Sequence, residues 1–307
     1  MELNTMVPLH FKVGFTISIF ECVAGVLLNS FIVMVNFLDW KQGNKLSPCD
    51  KILALIAFNN IFLQCDMNVY TFIFIVIPAM VEDHAIHSTI SVFLLFQFYY
   101  SFWMTSCLCF YYCLSIVNFK HTLLIRMRQR IPIVVSSQLL VSAVASFAIS
   151  VLSIWNIEIE HFKQTDNSTA NPSKNTKMSI EITPVYRAIT IFSGCCLPFC
   201  IAVLSAALVL VSLWSHTWSM KQNSGSFSVS HIEAHRRAAG IIILLTLLFA
   251  VFYAAEVTLL SSSMAFQTFW EFVSLFFVLI YPTAQSFVLI LGNTKLRRTC
   301  RQICHCS

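Results

Sequence analysis

Charged residues are scarce in this chain of 307: Asp, Glu, Lys and Arg make up 11% of it, against 57% for apolar types. A water-soluble domain carries roughly a quarter of its residues as charges, so most of this surface cannot face water. Glycine (7) and proline (8) are also few, which excludes a linker-rich or low-complexity protein. Phosphate loops, nucleotide motifs and nucleophile–base constellations are missing, so no enzyme activity and no cofactor are expected. The net charge of +5 is modest and its basic residues lie in short loops between apolar runs, which argues against a nucleic-acid partner.

What the sequence has in abundance is apolar length. Its mean hydropathy is +0.76, and Phe alone occurs 28 times. A helix needs roughly 20 mostly apolar residues to cross the hydrocarbon core. Seven segments qualify, at about 13–38, 52–79, 88–118, 131–155, 184–214, 238–262 and 267–292. Helices are required because an open sheet leaves backbone groups unpaired in lipid. The fold class is therefore all-α, an integral membrane bundle of seven transmembrane helices with membrane lipid as its solvent. The first span has no basic n-region and no small-residue cleavage site before it, and reads as a signal anchor.

Orientation follows from Lys and Arg in the loops. The loops after spans 1, 3 and 5 and the tail carry fourteen of them, and the opposite side carries five. The positive-inside rule puts the amino terminus (1–12) outside and the tail (293–307) in the cytoplasm of the plasma-membrane protein, with 1–307 as one domain. Asn167-Ser168-Thr169, a glycosylation acceptor in the long loop after span 4, falls on the outer side by the same rule.

None of the 12 cysteines falls in an outer loop, so no disulfide can tie span 3 to the second outer loop. Cys300, Cys304 and Cys306 stand beside basic residues in the tail, a setting for S-palmitoylation or for plain reduced thiols. His231 and His235 share a helix face, but other histidine boxes are absent and the pair reads as polar helix-end residues, not a metal site. Charges inside spans cost energy at the midplane, so Glu21 and Asp66 should face the bundle interior. Glu256 and Glu271 lie near the outer ends of spans 6 and 7, as solvated helix ends or as anionic contacts at a cavity mouth. Pro198 and Pro282 should kink spans 5 and 7.

Several runs carry a family likeness. Span 1 has Glu21-x-x-x-Gly25-x-x-x-Asn29-x-Phe31-Ile32, and the next loop has Asp39-Trp40-Lys41, Lys45-Leu46-Ser47 and Asp50-x-Ile52-Leu53. Span 3 has Trp103 and Phe110-Tyr111-x-x-Leu114-x-Ile116-x-Asn118-Phe119. Span 5 has Leu197-Pro198-Phe199, then Ser212-Leu213-x-x-His216-x-x-x-Met220. Span 6 opens on Ala234-His235-x-x-Ala238, and span 7 closes on Ser286-Phe287-x-Leu289-Ile290-x-x-Asn293-x-Lys295-Leu296-Arg297. In this order the runs resemble the bitter taste receptors, the taste receptor type 2 family of G-protein-coupled receptors, from about residue 20 to residue 298. Four positions depart from the family's pattern: Asn60 stands for its span 2 Arg, Ser115 for its span 3 Lys, Gly240 for its span 6 Lys and Gln285 for its span 7 His.

The resemblance implies a receptor for small bitter organic compounds in chemosensory cells, signalling through a heterotrimeric, gustducin-like G protein. A cavity between the outer halves of spans 3, 5, 6 and 7 would be lined by Leu94, Gln97, Phe98, Phe252, Tyr253, Glu256, Glu271 and Leu275. Leu94 and Phe98 replace the family's Trp and Asn contacts, so a more apolar pocket is expected. Asn118, His216, His235 and Arg236 would face the G protein. Vomeronasal type 1 pheromone receptors share this topology, and a transporter is a further alternative. The KLS loop and the AH-x-x-A run favour taste over pheromone, and an odd number of spans without a repeat disfavours the transporter. Replacing Asn167 by Gln is expected to speed the protein's gel migration when it is made in cells, and unchanged mobility would contradict glycosylation there.

Overall fold

In a computed structural model, the chain is described for residues 9–77, 80, 83–117, 119, 121–163, 176–223, 229–261 and 269–306. Seven helices in it are long and apolar enough to cross a membrane. The first runs over Leu9–Lys41, the second over Pro48–Val76 and the third over His84–Ile116. The fourth is Ile131–Val151, extended by a tight turn at Leu152–Trp155. The fifth is built from Pro184–Ile189, Thr190–Cys196 and Leu197–Asn223. The sixth is Val229–Ser261 and the seventh Phe269–Gly292. Span 6 begins nine residues before the expected 238, because polar residues continue the helix beyond its apolar run.

The helices form a closed ring in sequence order around a central third span, which packs on spans 2, 4 and 5, while span 7 returns to span 1. Large apolar side chains such as Phe20, Leu140 and Val211 stay exposed, as lipid contact requires. Tryptophans mark both rims: Trp40, Trp214 and Trp218 lie exposed toward one end, Trp155 and Trp270 toward the other. Amphipathic rings of this kind settle at headgroup depth.

Helix ends explain several motif residues. Ser47 caps span 2, its Oγ accepting from the Asp50 backbone N–H at 3.1 Å, with Pro48 in the first turn. Asp83 caps span 3 by accepting from the N–H groups of Ala85 and Ile86. Asn293 does the same for the tail helix Thr294–Cys306, through the N–H groups of Lys295 and Leu296. The Lys295 ammonium then reaches Asp39 at 2.8 Å, Asp50 at 3.3 Å and the Asn36 amide oxygen at 2.7 Å. The motif residues at the end of span 1, the start of span 2 and the end of span 7 thus form one cluster. Cys300 on the tail helix packs partly buried against the core.

Deeper in the bundle, spans 1, 2, 3 and 7 share a buried polar chain. Asn60 donates to the Gln285 amide oxygen at 3.0 Å and to the Asn29 oxygen at 3.4 Å. Gln285 in turn donates to Thr105 Oγ1 and to the Tyr281 hydroxyl, both at 2.9 Å. Two of the four departures from the family pattern, Asn60 and Gln285, therefore touch each other, the Asn60 amide donating to the Gln285 oxygen. One turn away, Gln64 donates to Thr283 at 2.7 Å and to the Glu21 carboxylate at 3.4 Å. Glu21 thus faces inward, as does Asp66, which accepts from the Gln97 amide. Gly25 permits this approach, since a methyl group there would sit 2.1 Å from the Gln64 amide and 2.2 Å from Thr283.

Two local features go beyond what the sequence indicated. The loop after span 4 contains an antiparallel pair, β1 (Ile157–Lys163) and β2 (Thr176–Ile182), with Ile157 opposite Ile182. Its sequence, Ile-Glu-Ile-Glu over 157–160 and Ser-Ile-Glu-Ile over 179–182, has the period-two alternation of a strand. The kink expected at Pro198 is preceded by a widened turn at Thr190–Cys196, where the Leu197 N–H reaches the Phe192 carbonyl five residues back. Asn167 lies outside the described residues.

Changing Gln285 to Leu is expected to cost about 1–2 kcal/mol of stability, because Asn60, Thr105 and Tyr281 lose a partner away from water. The double change N60L/Q285L should recover part of that loss, read as the melting temperature of the detergent-purified protein. Strictly additive losses would show that the two amides are not coupled.

Candidate functional site

Toward the end of the bundle that carries the β-hairpin lies a cavity of about 160 Å³. Span 3 lines it with one face at helical spacing, His87, Ser91, Leu94, Leu95, Phe98 and Tyr99. Span 2 adds Met67, Tyr70 and Thr71, and span 5 adds Tyr186. Span 6 contributes Glu256, Leu259 and Leu260, and span 7 contributes Leu275 and Val278. Ile157 and Ile182, the pair at the base of the hairpin, complete the wall. The hairpin base is fixed to its neighbours: Thr183 donates from its hydroxyl to the Asn156 side chain at 2.7 Å and from its N–H to the Asn156 carbonyl at 3.0 Å.

Of the eight residues expected around a ligand, Leu94, Phe98, Glu256 and Leu275 line this cavity. Phe252 lies beneath it, buried, with its ring 6.2 Å from that of Phe98. It stacks on Tyr281 at 3.8 Å and on Phe102 at 4.7 Å, both nearly parallel. Tyr281 is the residue whose hydroxyl accepts from Gln285. An unbroken run of contacts therefore leads from the cavity wall through an aromatic stack into the polar chain of spans 2, 3 and 7.

The other three residues do different work. Gln97 is turned to span 2, donating to Asp66 while its carbonyl accepts from Asn59 at 3.2 Å. Tyr253 stacks flat on Phe199 of span 5 at 4.4 Å, with its hydroxyl 3.1 Å from the Cys196 sulfur in the widened turn. Glu271 is buried in the first turn of span 7, where the helix dipole favours a carboxylate. Rotation about the helix axis turns these three side chains away from the cavity that their neighbours line.

Several lining residues were missed by the sequence reading. Tyr70 and Met67 come from span 2, which packs beside span 3 and so reaches the same space. His87 and Ser91 were readable as the upper turns of the stripe that continues through Leu94 and Phe98. At the opposite end of the bundle, His216 falls on Leu197–Asn223, and His235 and Arg236 fall on Val229–Ser261. Their side chains, and Asn118 altogether, lie outside the described residues.

Comparison with known proteins agrees with the motif reading. A family model described as taste receptor protein (TAS2R) matches residues 6–307. Taste receptor type 2 member 7 of Macaca mulatta is 32% identical over 290 residues, which cover 92% of this chain and 89% of that protein. Taste receptor type 2 member 9 of Homo sapiens is 31% identical over 278 residues, covering 90% of this chain and 88% of the relative. Member 7 of Rattus norvegicus is 28% identical over 290 residues, at 92% and 91%.

Two glycines in the spans give opposite expectations. A methyl group at Gly194 would lie 2.7 Å from the buried Tyr99 ring, one wall of the cavity, whereas at Gly240 it would meet nothing within 4 Å. Gly194→Ala should lower stability by about 1–3 kcal/mol through overpacking. Gly240→Ala should raise it by about 0.5–1 kcal/mol through helix propensity. Thermal melts of the two purified variants beside the parent check both signs.

Proposed function

This chain belongs to the taste receptor type 2 family, and we propose from that membership how it takes a ligand and passes the signal on. It is a bitter taste receptor, a multi-pass membrane protein that pairs a small-molecule ligand with a G protein. In our reading the hairpin end faces outward and the tail end inward, supported by the fourteen-to-five bias of Lys and Arg toward the tail end.

Bitter ligands lodge between spans 2, 3, 6 and 7, against Leu94, Phe98, Glu256 and Leu275. The observation that carries this is the mostly apolar cavity floored by the Phe98–Phe252–Tyr281 contacts. A ligand there shifts the receptor only by binding one packing of the helices better than another. The floor is the element both packings would share, since moving Phe252 or Tyr281 disturbs the Gln285 and Asn60 amides below. Gln97, Tyr253 and Glu271 hold the surrounding helices in place instead of touching ligand. At the tail end, Asn118, His216, His235 and Arg236 would meet a gustducin-like G protein as spans 5 and 6 move apart.

The reading is tested in cells that carry a promiscuous G protein, with intracellular calcium as the signal and a broad panel of bitter compounds. At least one compound should activate the parent receptor. Leu94→Trp, which fills much of the cavity, should raise the half-maximal concentration by at least about tenfold at equal surface expression. Silence across the panel from a receptor shown to be on the surface would overturn the reading.

A further inference from the structure

Every other buried or half-buried acid for which the structure shows a contact inside the helices has an opposite number. Glu21 receives Gln64, Asp66 receives Gln97, and Asp39 and Asp50 share Lys295. Glu256 differs. It is only 6% exposed and lines the cavity, and among the described residues no side chain gives it a hydrogen bond or an ion pair. No Lys or Arg among the described residues lines the cavity either. A lone carboxyl group facing an apolar space is costly unless something that enters the space compensates it.

The remaining walls suit one kind of compensating group. Tyr70, Phe98, Tyr99 and Tyr186 supply four aromatic rings around the same space. Aromatic faces attract cations, most strongly where water is excluded, and rings beside a carboxylate form the usual reception for ammonium groups that carry carbon substituents. His87 adds a second polar point: its Nε2 lies 3.4 Å from Ser91 Oγ, while its Nδ1 is buried without a partner. With the proton on Nε2, that Nδ1 is an acceptor and tolerates a nearby cation. At about 160 Å³ the space is close to that of a cavity known to hold one benzene ring.

We propose that this receptor's preferred ligands are small organic cations, an ammonium group on an apolar body of about one ring, with the charge received by Glu256. This rests on the cavity being the ligand site and adds to it the chemical class of ligand. The remaining lining, Leu94, Leu259, Leu275 and Val278 among it, would take the apolar body.

Benzyltrimethylammonium and its neutral carbon isostere, neopentylbenzene, differ in charge at nearly constant shape and are the probes. Purified receptor should gain thermal protection from the cation at concentrations at least about tenfold below those needed for the isostere. Glu256→Gln should bring that ratio close to one, and Glu256→Asp should keep part of it. Equal protection by both probes in the parent receptor, or a ratio unchanged in Glu256→Gln, would overturn the proposal. If Glu256→Gln fails to reach the surface, the parent ratio and Glu256→Asp still decide it. The calcium assay separates the two levels. If neutral bitter compounds activate the receptor while the cation neither activates nor competes, the cavity reading stands and only the ligand class falls. Silence to every compound from surface-expressed receptor removes both.

Discussion

The contact on which most of this structure depends is the amide pair of Asn60 and Gln285, 3.0 Å apart in the middle of the bundle. Water is not available there to satisfy a polar group, so an amide that enters the bilayer must find a partner on another helix. Asn60 finds Gln285 and Asn29, and Gln285 finds Thr105 and Tyr281. Four spans are thereby held in one register. At the positions of Asn60 and Gln285 the family pattern has an Arg and a His, and this chain has replaced both with neutral amides that suit each other.

Two further levels of contact repeat the logic. One turn toward the hairpin end, Gln64 links Glu21 to Thr283 across the gap that Gly25 leaves open. At the tail end, Lys295 gathers Asp39, Asp50 and Asn36. Spans 1, 2 and 7 are stitched at three depths, while spans 5 and 6 meet largely through apolar and aromatic side chains such as Phe199, Phe249 and Tyr253. Apolar packing between helices can slide at lower cost than a hydrogen-bonded chain can break. The structure thus divides into a fixed part and a part free to shift, with the cavity lying over the boundary.

Much of the fold was legible in the sequence because the bilayer imposes simple rules. Length and hydropathy are enough to locate seven spans, since no other structure hides twenty backbone amides from lipid. Motif residues such as Ser47 and Asn293 could be seen but not interpreted, because their role as helix caps needs the backbone geometry. The strand pair 157–163 and 176–182 was not foreseen although part of its alternation, Ile-Glu-Ile-Glu and Ile-Glu-Ile, was visible, because interspersed polar residues give the stretch the look of an ordinary loop. For the candidate site, the family resemblance pointed to Leu94 and Phe98 on span 3, and the scarcity of charge within the spans pointed to Glu256. Neither could separate Leu94, which lines the cavity, from Gln97, which turns to Asp66 three residues on.

By itself, then, the sequence determined the number of helices, the bias of charge between their ends and the family, because each of these depends on residue type and order along one chain. Tertiary structure decided which side chains share a space. The meeting of Asn60 with Gln285, of Lys295 with Asp39 and Asp50, and the place of Glu256 beside aromatic rings all depend on rotations of separate helices about their own axes. Those rotations are set by the packing of the whole bundle and are written in no single segment.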